Sequence, residues 1–256
     1  MVLTWVNYLS IVVGVFNFVA MSIVTIIILS RNPKEVINWL FGTSFFFIAI
    51  AYVFLPLGSF TNFETNPTPL VLLTKCYALS LFLSLEFLML SAISFNRSSH
   101  FIRNVYIIGP TILAAGIVAG LLFGLTDTSG PYYSVRFVPG ERADSQMSLF
   151  FSAIFYPLTV IVIIIMCVFF IRAYYKTDDR EVKRSLRFFF AGSGTCIASL
   201  IPNVLSNVLA DTWEKAFYLN GIEFIMVGIG VTLLLLGFIY KPQKAKQKTP
   251  AEPLMS

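Results

Sequence analysis

The sequence predicts an all-α polytopic membrane protein, a bundle of seven transmembrane helices, on three observations. Hydrophobic residues make up 57% of the chain and charged residues only 12%, with a mean hydropathy of +0.81. Soluble domains carry about 25% charged residues, so this much apolar surface needs the bilayer as its solvent. Apolar runs recur seven times, each near or above the roughly 20 residues that a helix needs to cross hydrocarbon. Finally, Lys and Arg collect in alternate connections between the runs, the mark of loops that stay on the cytoplasmic side.

Residues 3–29 are uncharged, with Trp5 and Tyr8 near the start, where amphipathic rings sit at headgroup level. This run is too long for a signal peptide and lacks a basic leader, so it is read as the first span. A basic turn, Arg31 to Glu35, precedes the second run, 36–60, which has Trp39 near its start and Pro56 near its end. The third span, 70–93, holds Lys75 and Glu86. The fourth, 105–125, has Pro110 in its first turns. The longest connection follows, 126–146, rich in turn formers and expected to be a loop. The fifth span, 147–171, contains Pro157; the sixth is 188–209 and the seventh 216–240. Residues 1–240 thus form one transmembrane domain, and 241–256 a short, basic, disordered tail.

Between spans five and six lies a charged island, 172–187, with Arg172, Lys176, Arg180, Lys183, Arg184 and Arg187 against Asp178, Asp179 and Glu181. Fourteen of the eighteen Lys and Arg residues fall on the same side as this island. That asymmetry predicts a cell-membrane protein with its N-terminus outside and its C-terminus in the cytoplasm. Asp178 and Glu181 are spaced as a capping box. Helix six is therefore expected to start about two turns before the membrane, with helix five overshooting through Tyr174. The island is then either a stiff inward hairpin or simply a charge anchor.

The formal charge of +5 sits at span ends, which reads as anchoring to the lipid bilayer and not as a nucleic-acid surface. Cys76, Cys167 and Cys196 lie within apolar runs without metal-ligand spacing, so neither disulfides nor a metal site is expected. HExxH, GxSxG, P-loop and GxGxxG patterns are absent, and the single histidine, His100, lies outside the spans. The seventh span has no lysine for a retinal Schiff base. The expectation is a non-catalytic protein without cofactors. Asn96 stands in a glycosylation sequon, but the expected topology puts it in the cytoplasm, unused.

Carboxylates inside spans are costly and mark functional positions. Glu86 is one such group; Lys75 shares its face but lies about 16 Å along the axis, so any partner must come from another helix. Glu223 is the other. It lies seven residues into span seven, and Asn203 lies six residues from the corresponding end of span six. A tight connection makes these helices antiparallel neighbours, which puts both side chains about 9–10 Å below the outer surface. Asn207 and Asn220 lie one turn further out. Pro202 frees a backbone carbonyl one turn earlier. Gly192, Thr195, Ser199, Asn203 and Ser206 form a small, polar stripe. It suits either close helix packing or a pocket for an unknown small ligand formed by Glu223, Asn203, Asn207, Asn220 and Glu86. Protonating Glu223 lowers the cost of burying it and could itself be a signal.

Three stretches carry a family resemblance: NRSSHFIRNVYIIGPTILAAGIVAGLLFGLTDTSG, RAYYKTDDREVKRSLRFFFAGSGTCIASLIPNVL and the closing GFIYKP. Together they resemble the seven-transmembrane N-terminal sensory region of histidine kinases. The resemblance implies a receptor-like sensor for an extracytoplasmic or intramembrane stimulus that drives a cytoplasmic output domain. Only sixteen residues follow Tyr240. Output is therefore expected in trans, through a kinase or other protein docking on Arg180, Lys183 and Arg184. Helices five and six, with Pro157 and Pro202 as bending points, are the expected moving element. A small solute transporter is the alternative, although spans one to three and five to seven show no convincing repeat. A structural subunit of a membrane complex is a third reading.

Overall fold

Apolar runs in hydrocarbon must satisfy every backbone amide internally, and a helix does this within one segment. The computed structural model describes residues 5–31, 33–59, 68–97, 104–123, 133–136, 144–147, 149–208 and 213–239. The helices are α1 (Trp5–Arg31), α2 (Val36–Ser59), α3 (Thr68–Arg97), α4 (Val105–Phe123), α5 (Leu149–Lys176), α6 (Arg180–Ala198), α7 (Leu200–Val208) and α8 (Trp213–Ile239). Seven helical stretches are long and apolar enough to cross a membrane, with α6 and α7 sharing the sixth, Val182–Ser206. The chain is a multi-pass membrane protein.

The sixth stretch is interrupted at Ser199. Pro202 cannot donate to the carbonyl of Ala198 and its ring crowds that turn, so the helix loosens one turn before the proline. Ser199 donates its hydroxyl to the Cys196 carbonyl at 2.7 Å.

The connection between α4 and α5 is more ordered than a plain loop. Strands β1 (Tyr133–Arg136) and β2 (Asp144–Met147) pair antiparallel, with Tyr133 opposite Met147 and Arg136 opposite Asp144. Pairing satisfies backbone groups that a loop would leave to water. Met147, expected in the fifth span, belongs to this hairpin, and α5 starts at Leu149.

Most of the charged island is helical. α5 runs through Tyr174 to Lys176 and α6 starts at Arg180, which leaves only Thr177 to Asp179 as the turn. The cap is Asp179, not Asp178: its Oδ1 accepts from the Val182 amide at 3.4 Å and its carbonyl from the Lys183 amide at 3.0 Å. With Asp179 at the cap, Val182 takes the third helical position, the one that a reciprocal box needs for Glu or Gln.

Around the bundle, α1 packs on α2 and α8, α2 on α3, and α3 on α5, while α6 and α7 pack on α8. α4 touches only α3 and α5 closely, burying Val118 and Leu122 and exposing Ile112, Leu113 and Ile117 to the lipid side. The α6–α8 seam is close at its glycines. A Cβ on Gly192 would lie 2.6 Å from the Gly230 carbonyl oxygen, so the two glycines let the backbones touch. Ser185 donates to the Gly237 carbonyl at 2.6 Å two turns further along. α5 and α6 meet differently, through rings: Phe170 and Phe189 have centroids 4.7 Å apart, Tyr174 and Phe190 6.1 Å, and Phe41 of α2 reaches Phe170 at 5.9 Å.

Candidate functional site

Between these rings and the opposite end of α5 lies an interior cavity of about 180 Å³. α1, α2, α3, α5, α6, α7 and α8 all contribute to its wall, and α4 does not. Most of the lining is hydrocarbon, including Phe45, Phe82, Phe155, Ile163, Met166 and Val231. For scale, an engineered apolar cavity of about 150 Å³ takes up benzene.

One part of the wall is polar. Tyr156 of α5 donates its hydroxyl to Asn203 Oδ1 at 3.3 Å, and Asn203 Nδ2 donates to Glu223 Oε2 at 3.0 Å. An amide suits the middle position because it offers an acceptor and two donors at once. The chain of bonds ties α5 to α7 and α7 to α8, and Glu223 is only 8% exposed. Tyr52 of α2 and Tyr77 of α3 add their rings to the lining, edge to face at 6.2 Å.

Thr159 stands one turn from Tyr156 on α5 and also lines the cavity. It is 5% exposed, and among the described residues its hydroxyl has no hydrogen-bond partner. Threonines in helices commonly return the hydroxyl to the carbonyl four residues back. Thr25, Thr111, Thr195 and Thr232 do so here, at 2.8–2.9 Å. Thr159 does not.

The residues singled out in the sequence divide accordingly. Asn203 and Glu223 meet, as their equal depth on neighbouring antiparallel helices requires. Asn220 is half-buried one turn away and does not line the cavity. The Asn207 side chain lies outside the described residues. Glu86 is 3% exposed and is not among the residues lining the cavity, and its Oε1 finds no hydrogen-bond partner among the described residues. The residues of the small stripe on the sixth span differ in what they touch. Gly192 packs against α8, Ser199 and Ser206 bond within their own turns, and Asn203 reaches the polar cluster.

Tyr52, Tyr77, Tyr156 and Thr159 escaped the sequence reading. Tyr156 and Thr159 flank Pro157 within a largely apolar stretch. That pattern could have flagged them, but nothing local tells which way they face. At the other end of α5, Arg180 and Arg184 are exposed. Lys183 Nζ sits 5.9 Å over the Tyr174 ring, and Arg187 Nε donates to the Tyr174 hydroxyl at 3.2 Å. Among the described residues no three His, Cys, Asp or Glu side chains gather as metal ligands. Cys76, Cys167 and Cys196 are free thiols.

Fold and cavity together define a multi-pass membrane helix bundle with a mostly apolar cavity between its helices. No protein-family model matches the chain, and no curated protein matches it.

Proposed function

We propose that this protein is a non-catalytic membrane sensor whose stimulus is read in the interior cavity and passed along α5 and α6 to the charged hairpin between them. One observation carries the reading. The hydrogen-bonded chain Tyr156–Asn203–Glu223 joins α5, α7 and α8 at the cavity, and α5 continues as one helix to the hairpin, where Tyr174 meets Lys183 and Arg187. A change in the cluster therefore has a stiff path to the far end of the bundle. Net hydrogen-bond energies of about 0.5–1.5 kcal/mol are enough to shift a two-state equilibrium several-fold.

In this reading the N-terminus is outside and the hairpin is cytoplasmic, as the bias of Lys and Arg suggests. Arg180, Lys183 and Arg184 form the docking surface for a kinase or another output protein in trans. The resemblance to histidine-kinase sensory regions supports this assignment. Spin labels at Thr177 and Glu35, compared between wild type and Glu223→Gln or Asn203→Ala in nanodiscs, test it. The expected result is a changed distance distribution or label mobility at Thr177. Identical spectra in all three proteins would remove the proposed path.

A second reading rests on the interruption at Ser199, since broken helices beside a cavity are common in transporters. Proteoliposomes containing this protein alone separate the two: solute accumulation without a partner protein favours the carrier.

A further inference from the structure

The uncharged run that follows Arg187, residues 188–209, is about 33 Å long as a helix, close to the roughly 30 Å of bilayer hydrocarbon. Arg187 therefore stands where the headgroups begin. Contacts from other helices agree on that level. Two residues before Arg187, Ser185 donates to the Gly237 carbonyl near the end of α8 at 2.6 Å. Phe189, two residues after it, has its ring 4.7 Å from that of Phe170, and Arg172 is the first charge on α5 beyond Phe170. On α2 the Trp39 ring, two residues from the Phe41 that reaches Phe170, is 53% exposed, as an interfacial aromatic should be.

At this level two cations lean on one ring. Lys183 Nζ lies 5.9 Å from the Tyr174 centroid, within cation–π range, and Arg187 Nε donates to the Tyr174 hydroxyl at 3.2 Å. Arg187 is exposed, and that bond uses one of the five N–H groups of its guanidinium. α5 contains no Asp or Glu, and α6 contains none from Val182 onward. Asp179, at the cap of α6, is about 12 Å from Arg187 along the axis. Towards the hydrocarbon the same face of α6 turns small. At 100° per residue Lys183, Ala191 and Gly194 all lie within about 40° of Arg187. Ala191 and Gly194 are exposed within the sixth span, and a Cβ on Gly194 would meet nothing within 4 Å among the described residues. We propose that this face binds one anionic phospholipid of the leaflet on the hairpin side, its phosphate on Arg187 and Lys183 and an acyl chain along Ala191 and Gly194. The two cations are four residues apart, about 6 Å along α6, so one headgroup can meet both, and a guanidinium fork matches phosphate oxygens. Tyr174 holds both cations in place before the lipid arrives. The site depends neither on the cavity nor on which protein docks on the hairpin.

The test is native mass spectrometry of the full chain released from detergent micelles and titrated with dioleoyl phosphatidylglycerol or dioleoyl phosphatidylcholine, which share acyl chains and differ in net charge. Each Lys or Arg beside anionic lipid is worth about five-fold in affinity. The first phosphatidylglycerol should therefore bind roughly 5- to 25-fold tighter than the first phosphatidylcholine, for one or two cations engaged. Arg187→Gln should lower that preference about five-fold, while Arg187→Lys should keep most of it. Arg180→Gln removes the same charge about 10 Å further along α6 and should leave the preference intact. Gly194→Leu fills the acyl track and should weaken both lipids alike.

Equal affinity of the wild type for the two lipids overturns the proposal without any variant. An equal loss from Arg180→Gln and Arg187→Gln also overturns it, because the attraction is then a diffuse field with no site. Glycerol phosphate that displaces phosphatidylglycerol at equal concentration makes the face a site for soluble phosphates, and the lipid assignment falls. Unchanged binding in Gly194→Leu removes the acyl track, and a dimer that excludes lipid gives the face to a second copy of the chain.

Discussion

Replacing Asn203 with alanine removes the middle of a hydrogen-bonded chain that links three spans at the cavity. The bonds to Tyr156 and to Glu223, at 3.3 and 3.0 Å, are lost. Interhelical hydrogen bonds in membranes are worth about 0.6 kcal/mol on average and about 1.7 at most, so the pair amounts to about 1–3 kcal/mol. The upper half of that range applies because Glu223 is buried and loses a donor. Glu223→Gln behaves differently: its amide oxygen still accepts from Asn203 Nδ2, so stability should stay within about 1 kcal/mol of wild type. Reversible unfolding by SDS in mixed micelles measures both. A double-mutant cycle of Asn203→Ala with Glu223→Ala then isolates the pair. The reasoning fails if Asn203→Ala unfolds with wild type, or if Glu223→Gln costs as much as Asn203→Ala.

Other outcomes follow from particular contacts. Gly192→Ala should cost about 1–3 kcal/mol in the same assay through overpacking, because the new methyl meets the Gly230 carbonyl and the Leu234 amide, neither of which can move aside. Gly116→Ala, with nothing within 4 Å of the new Cβ, should instead raise stability by about 0.5–1 kcal/mol as a better helix former. Asp179→Ala removes the cap of α6 and should cost about 1 kcal/mol locally, seen as faster amide exchange at Val182 and Lys183 with the rest of the helix unchanged. In a cysteine-free background, Asp178→Cys should resist an impermeant thiol reagent in intact cells while Ser134→Cys reacts. The reverse pattern would invert the proposed orientation and move the hairpin outside. Neutralising Arg180, Lys183 and Arg184 together should abolish output with that labelling pattern intact, whereas inverted labelling would leave these charges only an anchoring role.

How far the site could be read from the sequence depended on whether chain distance sets depth or direction. Depth along a helix is rise per residue times position, so Asn203 and Glu223 could be matched across a tight connection before any coordinates. Direction around a helix is not set locally in an apolar run, because lipid-facing and core-facing residues are equally hydrophobic. Glu86 shows the consequence. It is an intramembrane carboxylate of the right kind, 3% exposed, yet it is not among the residues that line the cavity. Asp178 shows a smaller version, displaced by one position from the residue that caps α6. The hairpin of β1 and β2 was hidden among turn formers, since four-residue strands are too short for alternation to stand out.

The sequence by itself determined that the protein lives in a bilayer, where its seven crossings run, and that the fifth and sixth helices extend into a charged hairpin. Hydropathy and helix signals are local, and the bilayer imposes its thickness on every span alike. Only the tertiary structure decided which polar side chains share an interior. Tyr52 and Tyr77 come from α2 and α3, Tyr156 and Thr159 from α5, Asn203 from α7 and Glu223 from α8. They meet because Gly192 and Gly230 let α6 and α8 touch while aromatic rings hold α6 away from α5. The cavity lies within that difference in helix spacing, and spacing is set by contacts between residues far apart in the chain.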